Sequence, residues 1–289
     1  MAILIGFLPA IFWGMGPVIS RIFGGKPIQQ LFGMTVGQVV IGLGVYLIYR
    51  PEIQMIDFLW CFIAGAAWSL AQLAQLTSFT KINVSSAMPI STGFQLIEIP
   101  LVGVIVWNEW SGSGSKLIGF ASIAVLIIGI VLSSFNEDKE SQNSKNMISG
   151  IIILFFSSLG YTATATLPKI GNAGGVASVL PQTLGSVVMA AVIILFLPKK
   201  QEESYVFAKP TYKSIITGLF GGLGTLAYLT SMSMNGVATA FPMTQLNVVV
   251  ATLGGVILLK ERKTKKESLF TIIGLILIIG SAVMISRLS

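Results

Sequence analysis

The chain has 289 residues, of which 54% are hydrophobic and only 10% are charged. Soluble domains carry about 25% charged residues, so this composition excludes an ordinary soluble domain. The formal net charge of +7 comes from Lys and Arg between apolar segments, which indicates membrane topology and not a nucleic-acid partner. The single cysteine excludes an internal disulfide, and there is no histidine.

Apolar runs follow one another along the chain, separated by short polar breaks. Each run is long enough to cross a hydrocarbon core of about 30 Å as a helix. The first run has no basic region before it and leads directly into the next, so we interpret it as a span and not as a cleaved signal. The sequence predicts an all-α membrane protein with ten transmembrane helices, at residues 3–22, 28–49, 56–79, 84–107, 115–135, 148–168, 175–197, 213–234, 237–259 and 268–287.

The Lys and Arg residues are unevenly divided between the two sides of such a ten-span protein. Fourteen of the 18 fall in connections on one side, and the other side holds only Arg50, Lys116, Lys169 and Arg287. The positive-inside rule predicts that the basic connections are cytoplasmic. With ten spans, both termini are then extracellular.

The two halves of the chain resemble each other. Residues 70–89 (LAQLAQLTSFTKINVSSAMP) and 223–242 (LGTLAYLTSMSMNGVATAFP) share nine identities without a gap, and a shorter match aligns Thr35 and Gly37 with Thr183 and Gly185. The polar segment 136–147 lies between the halves. We therefore predict a five-helix repeat at 1–135, a polar linker at 136–147 and a second five-helix repeat at 148–289.

An odd number of spans in each half has a mechanical consequence. The second copy enters the membrane from the opposite side, so the repeats are inverted. Inverted repeats are typical of secondary transporters, which bind substrate near the midplane between the repeats. Duplication can also serve only to build a stable bundle, but the inverted arrangement favours alternating access.

Polar and aromatic residues recur at helical spacing inside six of the predicted spans, as the lining of a central cavity would. Amides offer donors and acceptors to the hydroxyls of a neutral polyol, and aromatic rings cover the apolar face of a sugar. Buried hydroxyls can instead bond across helices as packing. The predicted substrate-binding residues are Trp13, Trp68, Gln72, Gln75, Ser91, Gln95, Tyr161, Thr164, Thr225, Tyr228, Thr244, Gln245 and Asn247.

Glu98 is the one acidic residue well inside an apolar segment, in the predicted span 84–107. A charge near the bilayer centre costs roughly 2.5–3.5 kcal/mol on insertion scales, and such residues are usually functional. Its counterpart in the repeat is Ala251, so the carboxylate is not part of the duplicated framework. We predict that Glu98 takes up and releases a proton during transport. A static role, in a wet vestibule or as a partner of a polar group, is the alternative.

The chain resembles the glucose/ribose uptake family of the drug/metabolite transporter superfamily. The resemblance is carried by residues 4–37 (LIGFLPAIFWGMGPVISRIFGGKPIQQLFGMTVG), 68–97 and 234–262 (MNGVATAFPMTQLNVVVATLGGVILLKER). It implies the drug/metabolite transporter fold, a bacterial plasma-membrane importer of sugar that uses the proton gradient, and a cavity between spans 1, 3, 4, 6, 8 and 9. Superfamily relatives imply cytoplasmic termini, whereas the charge distribution predicts extracellular ones.

Three other functions remain open. One is a purely structural or partner-binding membrane protein, which would not need an amide-lined interior. On the same scaffold, the protein could export cationic drugs or other small metabolites, with Glu98 as counter-ion. An intramembrane enzyme is disfavoured because paired catalytic carboxylates and metal-ligand sets are absent from the predicted spans, so we expect no metal and no cofactor. The predicted partners are a small sugar, protons and the lipid bilayer. The sequence does not determine which sugar is carried, and it does not distinguish a monomer from a homodimer.

Overall fold

The computed structural model describes residues 2–79, 81, 84–133, 135, 144–171, 175–197, 204–250, 253 and 264–288. These residues contain helices and connections, and no β-strand lies among them. The helices of this described part are α1 (Ala2–Phe23), α2 (Pro27–Tyr49), α3 (Met55–Ser78), α4 (Val84–Trp107), α5 (Ser115–Ser133), α6 (Ser144–Ile170), α7 (Val176–Phe196), α8 (Lys209–Asn235), α9 (Val237–Thr244) and α10 (Lys265–Ser286).

Eight of these helices, α2 to α8 and α10, are long and apolar enough to cross a membrane. Within the described residues, α1 and the region of α9 contribute the shorter apolar stretches Ile3–Gly16 and Val237–Val250. The predicted all-α membrane class is therefore confirmed. Helix α6 begins at Ser144, inside the predicted linker, whose residues 136–143 lie outside the described ones. So do residues 251–252 and 254–259 of predicted span 9, with Ala251 among them.

Glycines bring α2 against α8. A Cβ at Gly37 would overlap the carbonyl oxygen of Ile215, and a Cβ at Gly218 would overlap that of Met34. The two helices run parallel, because Gly33 lies beside Thr211 near the start of both and Gly37 beside Gly218 further along. In a membrane, backbones packed this closely gain van der Waals contact that larger residues would prevent.

Helices α3 and α7 make the corresponding contact. Gly185 meets the carbonyl oxygen of Phe62, and Gly65 meets that of Gln182. Gly65 beside Gln182 is followed one turn later by Ser69, which donates to the carbonyl oxygen of Ser186 at 2.6 Å, so these helices also run parallel. The two contacts are equivalent in sequence: Gly37 lies 148 positions before its counterpart Gly185, and Gly65 lies 153 positions before its counterpart Gly218.

In the remaining packing, α3 and α8 each contact several other helices. Helix α1 packs on α8, α6 packs on α3, and α4 lies between α6 and α9. Helices α5 and α10 pack on each other, where Gly129 approaches Gly274. Polar side chains of α3, α4 and α6 therefore come to face one another inside the bundle.

We predict that Gly37→Ala destabilises the protein, because the added methyl group would meet the backbone of α8. Overpacking of this kind costs about 1–3 kcal/mol. The matched control is Gly44→Ala on the same helix, where an added Cβ meets nothing within 4 Å. Thermal unfolding in detergent checks this expectation: equal midpoints for the two variants would contradict it.

Candidate functional site

A chain of hydrogen bonds joins α3 to α6. The hydroxyl of Tyr161 lies 2.9 Å from Oε1 of Gln72 and 3.0 Å from Oε1 of Gln75. Gln72 and Gln75 are one turn apart on α3 and so share a face. A phenol has one proton, so Tyr161 donates to one of these amide oxygens at a time.

The series of hydrogen bonds continues from α3 to α4 through Ser91. The hydroxyl oxygen of Ser91 accepts from Nε2 of Gln75 at 2.9 Å and from Nε2 of Gln95 at 3.0 Å. Neither bond uses the proton of Ser91, which remains for a further acceptor. We call Gln72, Gln75, Ser91, Gln95 and Tyr161 the amide network. Five of the predicted substrate residues are thus brought together in three helices.

Glu98 lies close to the amide network, one turn beyond Gln95 on α4. Its Oε1 accepts from the hydroxyl of Ser158 at 2.8 Å, and its Oε2 accepts from the hydroxyl of Thr162 at 2.9 Å. The side chain is half-buried. Each carboxylate oxygen therefore has a donor from α6, which offsets part of the cost of removing the charge from water.

Sequence reasoning missed both donors to Glu98. Ser158 and Thr162 are one turn apart on α6 and flank Tyr161, so the pattern SSLGYTAT at residues 157–164 carried the signal. Hydroxyls on a membrane helix are common packing groups, and only the position of α4 shows which of them meet the carboxylate.

A second group of predicted residues lies between α1, α6 and α8. The indole of Trp13 donates to the carbonyl oxygen of Gly221 at 3.3 Å, and its ring centroid is 5.7 Å from that of Tyr228. Tyr228 donates to the carbonyl oxygen of Ala165 on α6 at 3.2 Å. Thr225 donates to Gly221 within its own helix at 3.0 Å. We call Trp13 and Tyr228 the aromatic pair.

The predicted residues of span 9 lie at an interruption of the helix. Helix α9 ends at Thr244, residues 245 and 246 form a turn, and helical residues resume at 247. Gln245 donates from Nε2 to the hydroxyl of Thr244 at 3.1 Å, and both side chains are buried. Asn247 opens the next stretch, with its carbonyl oxygen against Gly14 of α1. Interrupted helices near the membrane centre are typical of transporter binding sites.

Two further predicted residues take part in helix packing. Trp68 packs against an apolar cluster that includes Leu31 and Ala190. The hydroxyl of Thr164 lies 3.0 Å from the carbonyl oxygen of Ala64 on α3 and 2.9 Å from that of Gly160 on α6, and its one proton is donated to either of them. These contacts hold neighbouring helices together, and a substrate role for either residue stays a prediction.

Long apolar helices around a hydrogen-bonded polar interior define an integral membrane protein of the transport class. Comparison with known proteins specifies this class, because the family model described as "Sugar transport protein" matches residues 4–288. The chain belongs to this family of sugar transport proteins.

Individual relatives cover nearly the whole chain. A Listeria monocytogenes protein named for sugar uptake is 39% identical over 285 residues, covering 99% of this chain and 98% of its own. A Latilactobacillus sakei protein named for ribose uptake is 41% identical over 281 residues, covering 96% and 95%. Among solved structures, one crystal structure superposes with a TM-score of 0.78 at 15% identity, covering 100% of this chain and 99% of that one. That last likeness concerns the fold alone.

We predict that Thr162→Val lowers stability by about 1–3 kcal/mol, because one oxygen of the Glu98 carboxylate loses its donor. Thr166→Val is the matched control, since the hydroxyl of Thr166 bonds only to the carbonyl oxygen of Thr162 in its own helix, at 2.7 Å. Chemical unfolding in detergent measures both. In a Glu98→Leu background, the two substitutions should cost the same, and a persisting difference would contradict the pairing.

Proposed function

We propose that the protein is a secondary active transporter that imports glucose or a similar neutral monosaccharide by proton symport with alternating access. The observation that carries the proposal is the amide network. Three glutamine side chains with a serine and a tyrosine hydroxyl, all uncharged, meet between α3, α4 and α6. Such groups donate and accept in equal measure, as the hydroxyls of a sugar do.

The network suits a site that opens and closes. In the absence of sugar, its side chains bond to one another, so they are not left unsatisfied inside the membrane. An arriving sugar would replace these bonds with its own hydroxyls. The aromatic pair, which contacts the same helix through Ala165, would supply an apolar ring surface to the C–H face of the sugar.

The surroundings of Glu98 support a role in proton coupling. Hydroxyls donate to a carboxylate and accept from a carboxylic acid, so Ser158 and Thr162 can satisfy both protonation states. Ser158 also lies 2.7 Å from the carbonyl oxygen of Phe155, which gives its proton an alternative acceptor when Glu98 is protonated. Under the proposal, Glu98 is loaded on one side of the membrane and unloaded on the other.

The packing supports two inverted repeats at 1–135 and 148–289. Helices α2 and α3 are joined by a connection of five residues, 50–54, so in a membrane they run in opposite directions. Because α8 is parallel to α2, it is antiparallel to α3. The matching segments 70–89 and 223–242 begin in α3 and in α8 and continue into α4 and α9, so this supports two copies that point in opposite directions.

The proposed location is the bacterial plasma membrane, with the basic connections in the cytoplasm. The ends of α2, α4, α6 and α8 then lie on the extracellular side, as do both termini. The charge distribution supports this orientation, and the bacterial relatives support the membrane.

We predict that Gln75→Met lowers sugar affinity about tenfold, because the apolar side chain keeps the volume of glutamine but loses a hydrogen bond worth about 1–1.5 kcal/mol. Uptake of labelled glucose and ribose into proteoliposomes gives the concentration dependence. Gln30→Met is the control, since Gln30 bonds to the carbonyl oxygen of Gly24 in the α1–α2 connection. If the wild type takes up no sugar but releases a lipophilic cation, the protein is an exporter.

We predict that Glu98→Gln abolishes accumulation driven by a pH gradient but leaves exchange of labelled for unlabelled sugar. The amide cannot load a proton, whereas exchange at equal pH needs none. Accumulation in proteoliposomes with an imposed gradient separates the two activities. Glu52→Gln, in the exposed α2–α3 connection, serves as the control. Accumulation by Glu98→Gln with an unchanged pH dependence would refute proton coupling.

A further inference from the structure

A carboxylate outside the amide network joins the two proposed halves of the chain. Glu109 lies in the connection between α4 and α5. Its Oε1 accepts from the backbone N–H of Val237 at 3.0 Å, and its Oε2 accepts from that of Ala238 at 2.6 Å. These are the first N–H groups of α9, which have no partner within the helix. The positive end of the helix dipole adds to this attraction.

The same carboxylate also binds the end of α6. Lys169 donates to Oε1 of Glu109 in an ion pair, and its ammonium lies 4.8 Å from the ring centroid of Trp107, the last residue of α4. The side chain of Lys169 is 27% exposed and that of Glu109 is 12% exposed. Three helix ends therefore meet at one carboxylate close to water.

The connection that carries Glu109 is held in a costly conformation. Asn108 and Trp110, on either side of it, have positive φ angles of 50° and 55°. Positive φ angles raise the conformational free energy of residues that have a side chain, so contacts with the surroundings have to stabilise this conformation. Trp110 provides such a contact, because its buried indole donates a hydrogen bond to the hydroxyl of Thr239 on α9 at 3.0 Å.

The turn before α9 is adapted to the carboxylate. Gly236 has a φ of 78°, and a Cβ there would lie 2.7 Å from Oε2 of Glu109. Only glycine combines this conformation with this approach. A connection that merely linked α4 to α5 would need neither the strained backbone nor the space at Gly236.

Stability alone does not explain why the bonds cross between the proposed halves. An ordinary N-cap comes from the residue beside the helix, whereas Glu109 is 128 positions from Val237. If the halves rock apart at this end, the bonds to α9 and α6 have to break. Water at the partly exposed Lys169 can then hydrate both charges, so breaking the ion pair costs little free energy.

We propose that Glu109 is a latch that closes the end of the molecule where α4 and α6 finish and α9 begins. It must release α9 and Lys169 before a substrate path opens there. This inference rests on the alternating access of the proposed function, but it does not depend on which substrate is carried. Weakening the latch shifts the population toward the state that is open at this end.

A thiol at position 241 reports such opening. Phe241 lies one turn inside α9, is 6% exposed, and packs against Tyr228 with ring centroids 6.3 Å apart. The experiment uses the full-length protein with Cys61→Ala and Phe241→Cys, in proteoliposomes. The rate of reaction with a charged, membrane-impermeant maleimide is measured from each side.

We expect Glu109→Gln to speed labelling from the latch side about tenfold, because the amide loses the ion pair and one charge-assisted bond. Lys169→Met, which keeps the bonds to α9, should speed it by about threefold. Glu52→Gln, an exposed carboxylate on the same side, should leave the rate unchanged. Rates for Glu109→Gln and Lys169→Met equal to that of the parent would overturn the proposal.

A second reporter separates opening from unfolding. Ala190→Cys replaces Phe241→Cys in the same background, since Ala190 of α7 is fully buried against α2. Labelling that rises equally at both reporters would mean general loosening and would overturn the latch. Labelling that rises at position 241 alone supports it. If the wild type transports no sugar while this selective rise is seen, the latch stands and the sugar proposal fails.

Discussion

A polar group inside a membrane has to find its hydrogen-bond partner within the protein, and the interior of this molecule follows from that constraint. Within each helix, the backbone N–H and C=O groups form hydrogen bonds with one another. The side chains of the amide network bond to one another across α3, α4 and α6, and the Glu98 carboxylate bonds to hydroxyls of α6. Polar groups that are satisfied internally hold neighbouring helices in register. Under the proposed function, they would exchange these bonds for bonds to a substrate at little net cost.

Helix α6 connects all the parts of the site. Along one side of this helix, Ser158, Tyr161 and Thr162 bond to α3 and α4, and Ala165 accepts from Tyr228 of α8. Near its end, Lys169 binds the carboxylate of Glu109. The spacing repeats every three or four residues, so one helical face touches the Glu98 carboxylate, the amide network, the aromatic pair and the proposed latch. A small rotation or shift of α6 would change all four together, as the proposed coupling of proton, sugar and opening would require.

Much of the architecture could be predicted from the sequence, because hydrophobic length and periodicity are local properties. The predicted spans agree with the helices to within a few residues; α6 and α8 each begin four residues earlier than predicted, and the region of span 9 is described without a break only to residue 250. The match between Gly37 and Gly185, short in the sequence, corresponds to equivalent contacts in the structure. Helical spacing also predicted which residues share a face, and Gln75 of α3 and Ser91 of α4 bond to each other, whereas Trp68, one of the predicted residues of α3, packs in an apolar cluster. The turn at residues 245–246 carried no comparable signal.

The sequence by itself determined that this is a helical membrane protein, where its apolar segments lie and which residues are candidates for a polar interior, because each of these depends on neighbours along the chain. Only the tertiary structure decided the pairings. Ser158 and Thr162 lie 60 and 64 positions from Glu98, and Glu109 reaches across 129 positions to Ala238. A hydrogen bond over such a separation depends on how the helices pack in three dimensions. A local sequence pattern does not show which distant residue will lie beside a given side chain.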